Sequence, residues 1–179
     1  MTERPILESG MTFGPFPKGH CFYIEKSETY RKVQKGVRMA EFLLLRFKDG
    51  KAPVIWIVEA KSSTPHPATQ PNFDDFIAGV REKLINAFFL GVATILKRHQ
   101  TAVSELPSLF QSLSLSSVGF RFVLVINEYP EDRLRGLQEV LAKSLHPVVK
   151  TWRLPPASVA VLNEKSARQN HLIFPEPAQ

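Results

Sequence analysis

The chain is poor in cysteine and has no long apolar run, and both features restrict what it can be. Cys21 is the only cysteine among 179 residues, which argues against an internal disulfide and a cysteine-rich zinc site. No stretch approaches the roughly 18 apolar residues that a membrane helix requires, and residues 1–19 contain no apolar core of signal-peptide type. We therefore expect a cytoplasmic protein that does not contact a membrane.

The sequence also lacks the motifs of several common enzyme classes. It contains no Gly-rich phosphate loop, no GxSxG elbow and no zinc-binding motif, which argues against ATPase, serine hydrolase and zinc chemistry. His66 lies between two prolines and has no second histidine or cysteine at ligand spacing. A zinc ligand at His66 is therefore not expected. The functional interpretation that remains for His66 is a loop position that touches substrate.

What the composition does contain is typical of one basic globular domain. Hydrophobic residues make up 44% and charged residues 22% of the chain, and no linker or repeat divides it, so residues 1–179 are expected to form a single domain. Residues 1–19 are expected to be an irregular arm and residues 174–179 a frayed tail. Lys and Arg number 23 against 17 Asp and Glu, a surplus that favours polyanions such as nucleic acid.

The hydrophobic pattern predicts an α/β fold. Runs of apolar, β-branched and aromatic residues predict strands, and apolar residues at spacings of three and four predict helices. Asn72, a preferred N-cap residue, is expected to open the first helix. The order β-β-β-α-β-α-β indicates a mixed sheet flanked by helices. The predicted strands cover residues 21–26, 37–47, 54–61, 120–126 and 159–162, and the predicted helices cover 72–98 and 131–145, with about one helical turn within 27–36.

Two glutamates lie inside apolar strands, where carboxylates are costly unless they are paired or bound to a cation. The Asp-Gly pair at residues 49–50 separates the second and third strands and predicts a hairpin. If the turn is centred on Gly50, Glu41 faces Glu59, and alternation places Lys61 on the same face as Glu59. Two such carboxylates repel unless a cation lies between them, and oxygen ligands favour Mg²⁺ or Mn²⁺.

These residues resemble the PD-(D/E)XK nuclease superfamily, which has the restriction-endonuclease-like fold. The likeness covers residues 22–126: Glu59-Ala60-Lys61 matches the family's signature triad, and Glu41 stands where the family usually has Asp. The resemblance implies a metal held by Glu41, Glu59 and the main-chain carbonyl of Ala60, with Lys61 acting on the attacking water. Ala40 replaces the family's proline.

The resemblance also implies a function and further site residues. It implies a Mg²⁺-dependent endonuclease, acting on DNA rather than RNA, of the kind found in bacterial or archaeal antiviral defence and DNA processing. Glu25 or Glu28 would supply a third carboxylate, because no acidic helix precedes the first strand. Lys83, on the long helix, would reach the site or belong to a solvated face.

Other interpretations remain open at this stage. Glu59 and Lys61 could form a simple strand-end salt bridge, and Glu41 could face outward on an edge strand. The basic run formed by Arg31, Lys32, Lys35 and Arg38 is either a solvated patch or a surface that follows phosphates. The alternative function is a catalytically silent nuclease-like module that binds nucleic acid, a protein partner or a second copy of itself.

Overall fold

The computed structural model describes residues 4–174, which form a five-stranded mixed sheet with helices against it and a separate two-stranded hairpin. The order of elements agrees with the predicted β-β-β-α-β-α-β pattern for the main sheet. The strands are β1 Ile6–Glu8, β2 Met11–Phe13, β3 Cys21–Phe22, β4 Phe42–Arg46, β5 Val54–Lys61, β6 Gly119–Ile126 and β7 Val159–Asn163, and the helices are α1 Glu28–Val33, α2 Asn72–Ile95, α3 Ala102–Glu105, α4 Ser108–Gln111, α5 Glu131–Thr151 and α6 Glu164–Gln169.

The five-stranded sheet is antiparallel on one side of β5 and parallel on the other. Its order is β3-β4-β5-β6-β7; β3, β4 and β5 pair antiparallel, whereas β5, β6 and β7 pair parallel. The two parallel connections run through α2 and α5, as parallel strands require a long crossover. The central strand β5 therefore has a neighbouring strand on each side. Its continuous apolar sequence agrees with core packing on both of its faces.

The two faces of the sheet carry different layers. Ile55 and Ile57 of β5 pack with Leu84 of α2 and Leu141 of α5. Trp56 and the alternate side chains of the same strand pack on the other face with residues of the β1–β2 hairpin and α6. Because strand side chains alternate, Glu59 and Lys61 lie on the face that α2 and α5 cover.

Helix α2 approaches the sheet closely at one glycine. A Cβ atom added at Gly91 would lie 2.7 Å from Cδ1 of Leu43 on β4, a separation that real side chains do not tolerate. The missing side chain therefore lets the α2 backbone lie against the sheet. This close packing brings other α2 side chains within reach of the strand ends.

Several predicted boundaries were wrong. The arm predicted to be irregular contains the β1–β2 hairpin, in which Glu8 pairs with Met11. Strand pairing begins at Phe42 rather than at residue 37, and the first predicted strand ends at Phe22 before a 3₁₀ turn. Helix α5 continues to Thr151 although Pro147 lies inside it, because Val148 and Val149 still pack against the core.

The remaining differences concern three short helices that were not predicted, α3, α4 and α6, and the ends of the long helix α2. Helix α2 begins at Asn72, but Pro71 occupies the N-cap position and no side chain caps the helix, and α2 ends at Ile95. The predicted tail lies outside the described residues apart from Phe174. None of the helices within residues 4–174 combines the length and apolar character needed to cross a membrane.

Candidate functional site

Glu41 and Glu59 lie next to one another where β4 begins and β5 ends. The register pairs Phe42 with Val58, so the residues one step further along are Glu41 and Glu59, as the turn centred on Gly50 predicts. The Glu41 amide donates to the Val58 carbonyl at 3.0 Å. Both side chains are buried, with residue exposures of 4% for Glu41 and 0% for Glu59. Neither glutamate is an outward-facing surface residue.

Two lysines contact these carboxylates. Nζ of Lys61 lies 2.8 Å from Oε1 of Glu59, and Nζ of Lys83 lies 2.9 Å from the same oxygen. Nζ of Lys83 is also 3.9 Å from Oε1 of Glu41. The Lys83 side chain, only 16% exposed, therefore belongs to the site and not to a solvated helix face. Lys61 is the more accessible of the two, at 27%.

A second group of carboxylates adjoins Glu41. Oxygen atoms from Glu8, Glu25 and Glu41 all lie within 4.8 Å of one another. The Tyr23 hydroxyl donates a hydrogen bond to Oε1 of Glu8, and Oε2 of Glu25 lies 3.0 Å from Nζ of Lys26. Glu41 is thus the shared member of two sets, one with Glu59 and the lysines and one with Glu8 and Glu25.

The surroundings change the proton affinity of Glu41 in particular. Burial raises its pKa, the charges of Glu59 and Glu25 raise it further, and the result is about 8. Burial alone would lower the pKa of Lys83, but the charge and hydrogen bond of Glu59 outweigh burial and raise it. The Lys83 ammonium therefore stays charged, whereas the Glu41 carboxylate lacks an equally strong compensating partner.

The oxygen atoms that remain free are chemically suited to a hard cation. Oε2 of Glu41 and Oε2 of Glu59 are buried and accept no hydrogen bond, a costly condition for a carboxylate. Ala60, between Glu59 and Lys61, points its side chain into the core of the opposite sheet face. Carboxylate oxygens are the ligands that Mg²⁺ and Mn²⁺ prefer, and the oxygens that lie at a spacing suited to one ion are those of Glu8, Glu25 and Glu41.

The other candidate residues lie apart from this cluster or at its border. Glu28 forms an ion pair with Lys32 at 3.2 Å and is not part of the carboxylate group. Arg38 reaches Glu82, the neighbour of Lys83, at 3.6 Å. The basic run consists of exposed side chains on and after α1: Arg31, Lys32, Lys35 and Arg38. Its last member, Arg38, contacts the helix that carries Lys83.

Sequence reasoning missed Glu8 and Tyr23. Glu8 ends β1, and the Ser9-Gly10 turn that follows has positive φ at both residues, so the pattern of apolar residues around Ser-Gly was a hairpin signal in the N-terminal arm. No local feature indicated that this hairpin would lie near Glu41, because the contact joins segments more than 30 residues apart.

Comparison of the chain with protein-family models, with curated proteins and with solved structures finds no match.

Proposed function

We propose that this protein is a metal-dependent nuclease with a restriction-endonuclease-like fold, hydrolysing phosphodiester bonds in DNA in preference to RNA. The observation that carries the proposal is the pair of buried glutamates, Glu41 and Glu59, on adjacent strands, each with an oxygen that accepts no hydrogen bond. Two ammonium groups flank the pair. A merely structural salt bridge would not require a second buried carboxylate beside the first.

Glu41, Glu59 and the Ala60 carbonyl would hold Mg²⁺ or Mn²⁺, with Glu25 and Glu8 available as further oxygen ligands. When bound, such an ion supplies positive charge at the phosphate and lowers the pKa of the attacking water. The close grouping of carboxylates supports this assignment, since oxygens of Glu8, Glu25 and Glu41 lie within 4.8 Å of one another.

The two lysines serve different purposes in this proposal. Lys61 is the more exposed and lies at the strand end, where its ammonium orients water and stabilises the negative charge of the transition state. Lys83 is the more buried, and it holds the Glu59 carboxylate in place from α2. Lys61 is thus a catalytic residue, and Lys83 is a positioning residue.

The direct test is incubation of the purified protein with plasmid, linear DNA, single-stranded DNA and RNA, in Mg²⁺, Mn²⁺ or EDTA. We expect metal-dependent cleavage that Glu59→Gln abolishes, because the amide keeps the shape of the side chain but not its charge. Glu139→Gln is the matched control, since Glu139 is exposed and pairs with Arg135 on α5. Wild-type protein that cleaves none of the substrates would refute the proposal.

A second pair of variants identifies the third carboxylate. We expect Glu25→Gln to slow cleavage and weaken Mn²⁺ binding, because Glu25 lies within the carboxylate group that includes Glu41. Glu28→Gln, three residues away, should have no effect on either, because Glu28 pairs with Lys32. Calorimetric titration of Mn²⁺ measures the binding separately from cleavage. Equal behaviour of the two variants would remove Glu25 from the site.

One observation favours a catalytically silent module as the second candidate. Oε1 of Glu59 is already held by both Lys61 and Lys83, an arrangement that can stabilise a strand end without any metal. The calorimetric titration separates the two functions. A silent module would bind nucleic acid without binding Mn²⁺, and Glu59→Gln would leave that binding unchanged.

A further inference from the structure

A cleft lies between the loop after β5 and the start of α5. One compartment, of about 450 Å³, has apolar walls formed by Phe73, Leu137 and Val140. A second, of about 320 Å³, lies along residues 62–67 and 127–130. His66, Pro67, Tyr129 and Arg133 line both compartments, so the two adjoin and are treated together as one cleft. The volume of the larger compartment is in the range of small-molecule sites.

The cleft adjoins the backbone of the proposed catalytic residue Lys61. Its wall begins at Ser62, the residue after Lys61. The backbone N–H of Asn127, a residue of the cleft wall, donates to the Lys61 carbonyl at 2.9 Å. This bond fixes the loop after β6 to the end of β5. The cleft therefore opens at the carboxyl edge of the parallel strands, where ligands of open α/β sheets bind. A polynucleotide at Lys61 would have its neighbouring nucleotide at this opening.

The charges on the cleft wall indicate what it would accept. Arg133 lines both compartments, Asp132 lines the larger one and Glu128 the smaller one. Within residues 4–174, none of these three side chains forms an ion pair. The two carboxylates accept hydrogen bonds and the planar guanidinium of Arg133 donates them. Such groups beside an apolar wall suit the edges of a nucleobase, which offer both donors and acceptors. A site for phosphate alone would not contain two carboxylates.

We propose that this cleft binds one unpaired nucleobase of the substrate, so that the enzyme prefers single-stranded or unpaired nucleic acid. The inference rests on the proposed function for its choice of ligand. Val140, which is exposed, and Tyr129, which is half-buried, provide the apolar surface against which the base lies, and Arg133 contacts the adjoining phosphate. A fully paired duplex cannot place a base there without unpairing it, which costs free energy.

The test measures binding and does not require cleavage. Wild-type protein in EDTA is titrated against a fluorescent single-stranded oligonucleotide, the matching duplex, and a single strand with consecutive abasic sites. We expect the single strand to bind at least about tenfold more tightly than the duplex and the abasic strand, as contacts to one base typically provide. Equal affinity for the normal and abasic strands would show that only phosphates are bound, and would overturn the proposal.

Gly136 offers a matched pair of variants for filling the cleft. It lies on the wall of the larger compartment, in α5, and a Cβ atom added there meets no atom within 4 Å. Gly136→Leu should fill the compartment and remove the preference for the single strand, while duplex binding stays within about twofold. Gly136→Ala should retain the preference. Both changes replace a helical glycine with a better helix former, so a melt should show no loss of stability.

The outcomes distinguish this proposal from the proposed nuclease activity. Undiminished single-strand binding by a folded Gly136→Leu variant would overturn the cleft assignment, as would a wild-type protein without the preference. Neither result affects metal-dependent cleavage, which is measured on wild-type and Glu59→Gln protein. Conversely, a single-strand preference that Gly136→Leu removes would support the cleft in a protein that does not cleave.

Discussion

The two ends of strand β5 hold charged groups in different ways. At the carboxyl end, Glu59 is fully buried, contacts Lys61 and Lys83, and still has an oxygen without a hydrogen bond. Near the start of the strand, Trp56 lies on the opposite face of the sheet. The two neighbouring strands each carry an arginine, Arg46 on β4 and Arg121 on β6. No carboxylate within the described part of the chain pairs with either arginine.

The arginines are held by an aromatic ring and not by opposite charge. The guanidinium carbons of Arg46 and Arg121 lie 5.0 and 4.7 Å from the centre of the Trp56 ring. Burial lowers the pKa of both groups, yet arginine remains charged at any ordinary pH. Cation–π contacts of this kind contribute about 0.5–1 kcal/mol each when partly exposed. The charged groups at this end of the sheet therefore have their contact partner, the Trp56 ring, within the chain.

The comparison shows where the molecule departs from what stability alone would favour. The two arginines lie against one neutral partner, the Trp56 ring. The glutamates at the other end repel one another, and the pKa of Glu41 is raised to about 8 as a result of burial and of Glu59. Such a departure is what the proposed metal site would require. Changes at the two ends should consequently affect different properties.

The largest expected effect is on the cleavage rate, which should respond to a change at one end of β5 and not at the other. Lys61→Ala should reduce cleavage at least about a hundredfold, because it removes charge that stabilises the transition state, while nucleic-acid binding is retained. Arg121→Ala should leave the cleavage rate of the folded protein within about twofold. Single-turnover cleavage and equilibrium binding measure the two quantities. Similar losses in both variants would contradict a functional difference between the ends.

The next effect is one of stability. Trp56→Ala should lower the free energy of unfolding by about 3–5 kcal/mol, since it removes a large buried ring that two guanidinium groups contact. Trp56 faces away from Glu59, so the folded variant should keep its Mn²⁺ affinity. Denaturant titration and calorimetry provide the two measurements. A variant that loses metal binding while folded would show that the two faces of β5 are coupled.

A pH dependence is expected only at the acidic end. The pKa of Glu41 is raised in the folded state, so the folded protein binds the proton more tightly than the unfolded chain. The stability from this group is fully present below the unfolded pKa and is lost as pH rises toward about 8. In EDTA, the free energy of unfolding of wild-type protein should thus fall between about pH 5 and pH 8. Glu41→Gln should remove part of this slope; an unchanged slope would exclude Glu41 as its source.

The smallest effect concerns the arginine that has an unsatisfied atom. Nε of Arg121 is buried and has no hydrogen-bond partner, so Arg121→Met, which keeps an unbranched side chain, exchanges a cation–π contact for apolar packing. The free energy of unfolding should change by no more than about 1 kcal/mol. Denaturant titration detects a change of this size. A loss of several kcal/mol would mean that the charge itself stabilises this end.

The sequence was sufficient for the parts of the site that depend on local geometry. The position of the Asp-Gly turn was enough to place Glu41 beside Glu59, because an antiparallel register follows from where its turn is centred. Alternation along β5 placed Lys61 on the same face as Glu59. The order of the main strands and of the two long helices followed from hydrophobic periodicity, whereas the β1–β2 hairpin and the short helices α3, α4 and α6 were not predicted.

The parts that could not be predicted depend on distant packing. Lys83 reaches Glu59 because α2 lies close to β4 at Gly91, and helical periodicity alone does not specify that distance. Glu8 reaches the cluster because the β1–β2 hairpin packs on the sheet. Strand pairing begins only at Phe42, and the preceding segment turns towards α2, where Asn86 donates to the Arg38 carbonyl at 2.9 Å.

The side chain of Gln138 has a consequence for how this protein meets other chains. Its oxygen accepts a hydrogen bond from the Val161 amide at 3.1 Å, so a backbone donor of the edge strand β7 is already satisfied from α5. At the other edge, β3 has two residues, Cys21 and Phe22. Sheets with long open edges recruit strands from neighbouring molecules and aggregate. Here one edge is short and the other is partly capped, which lowers the tendency of the sheet to polymerise at high concentration.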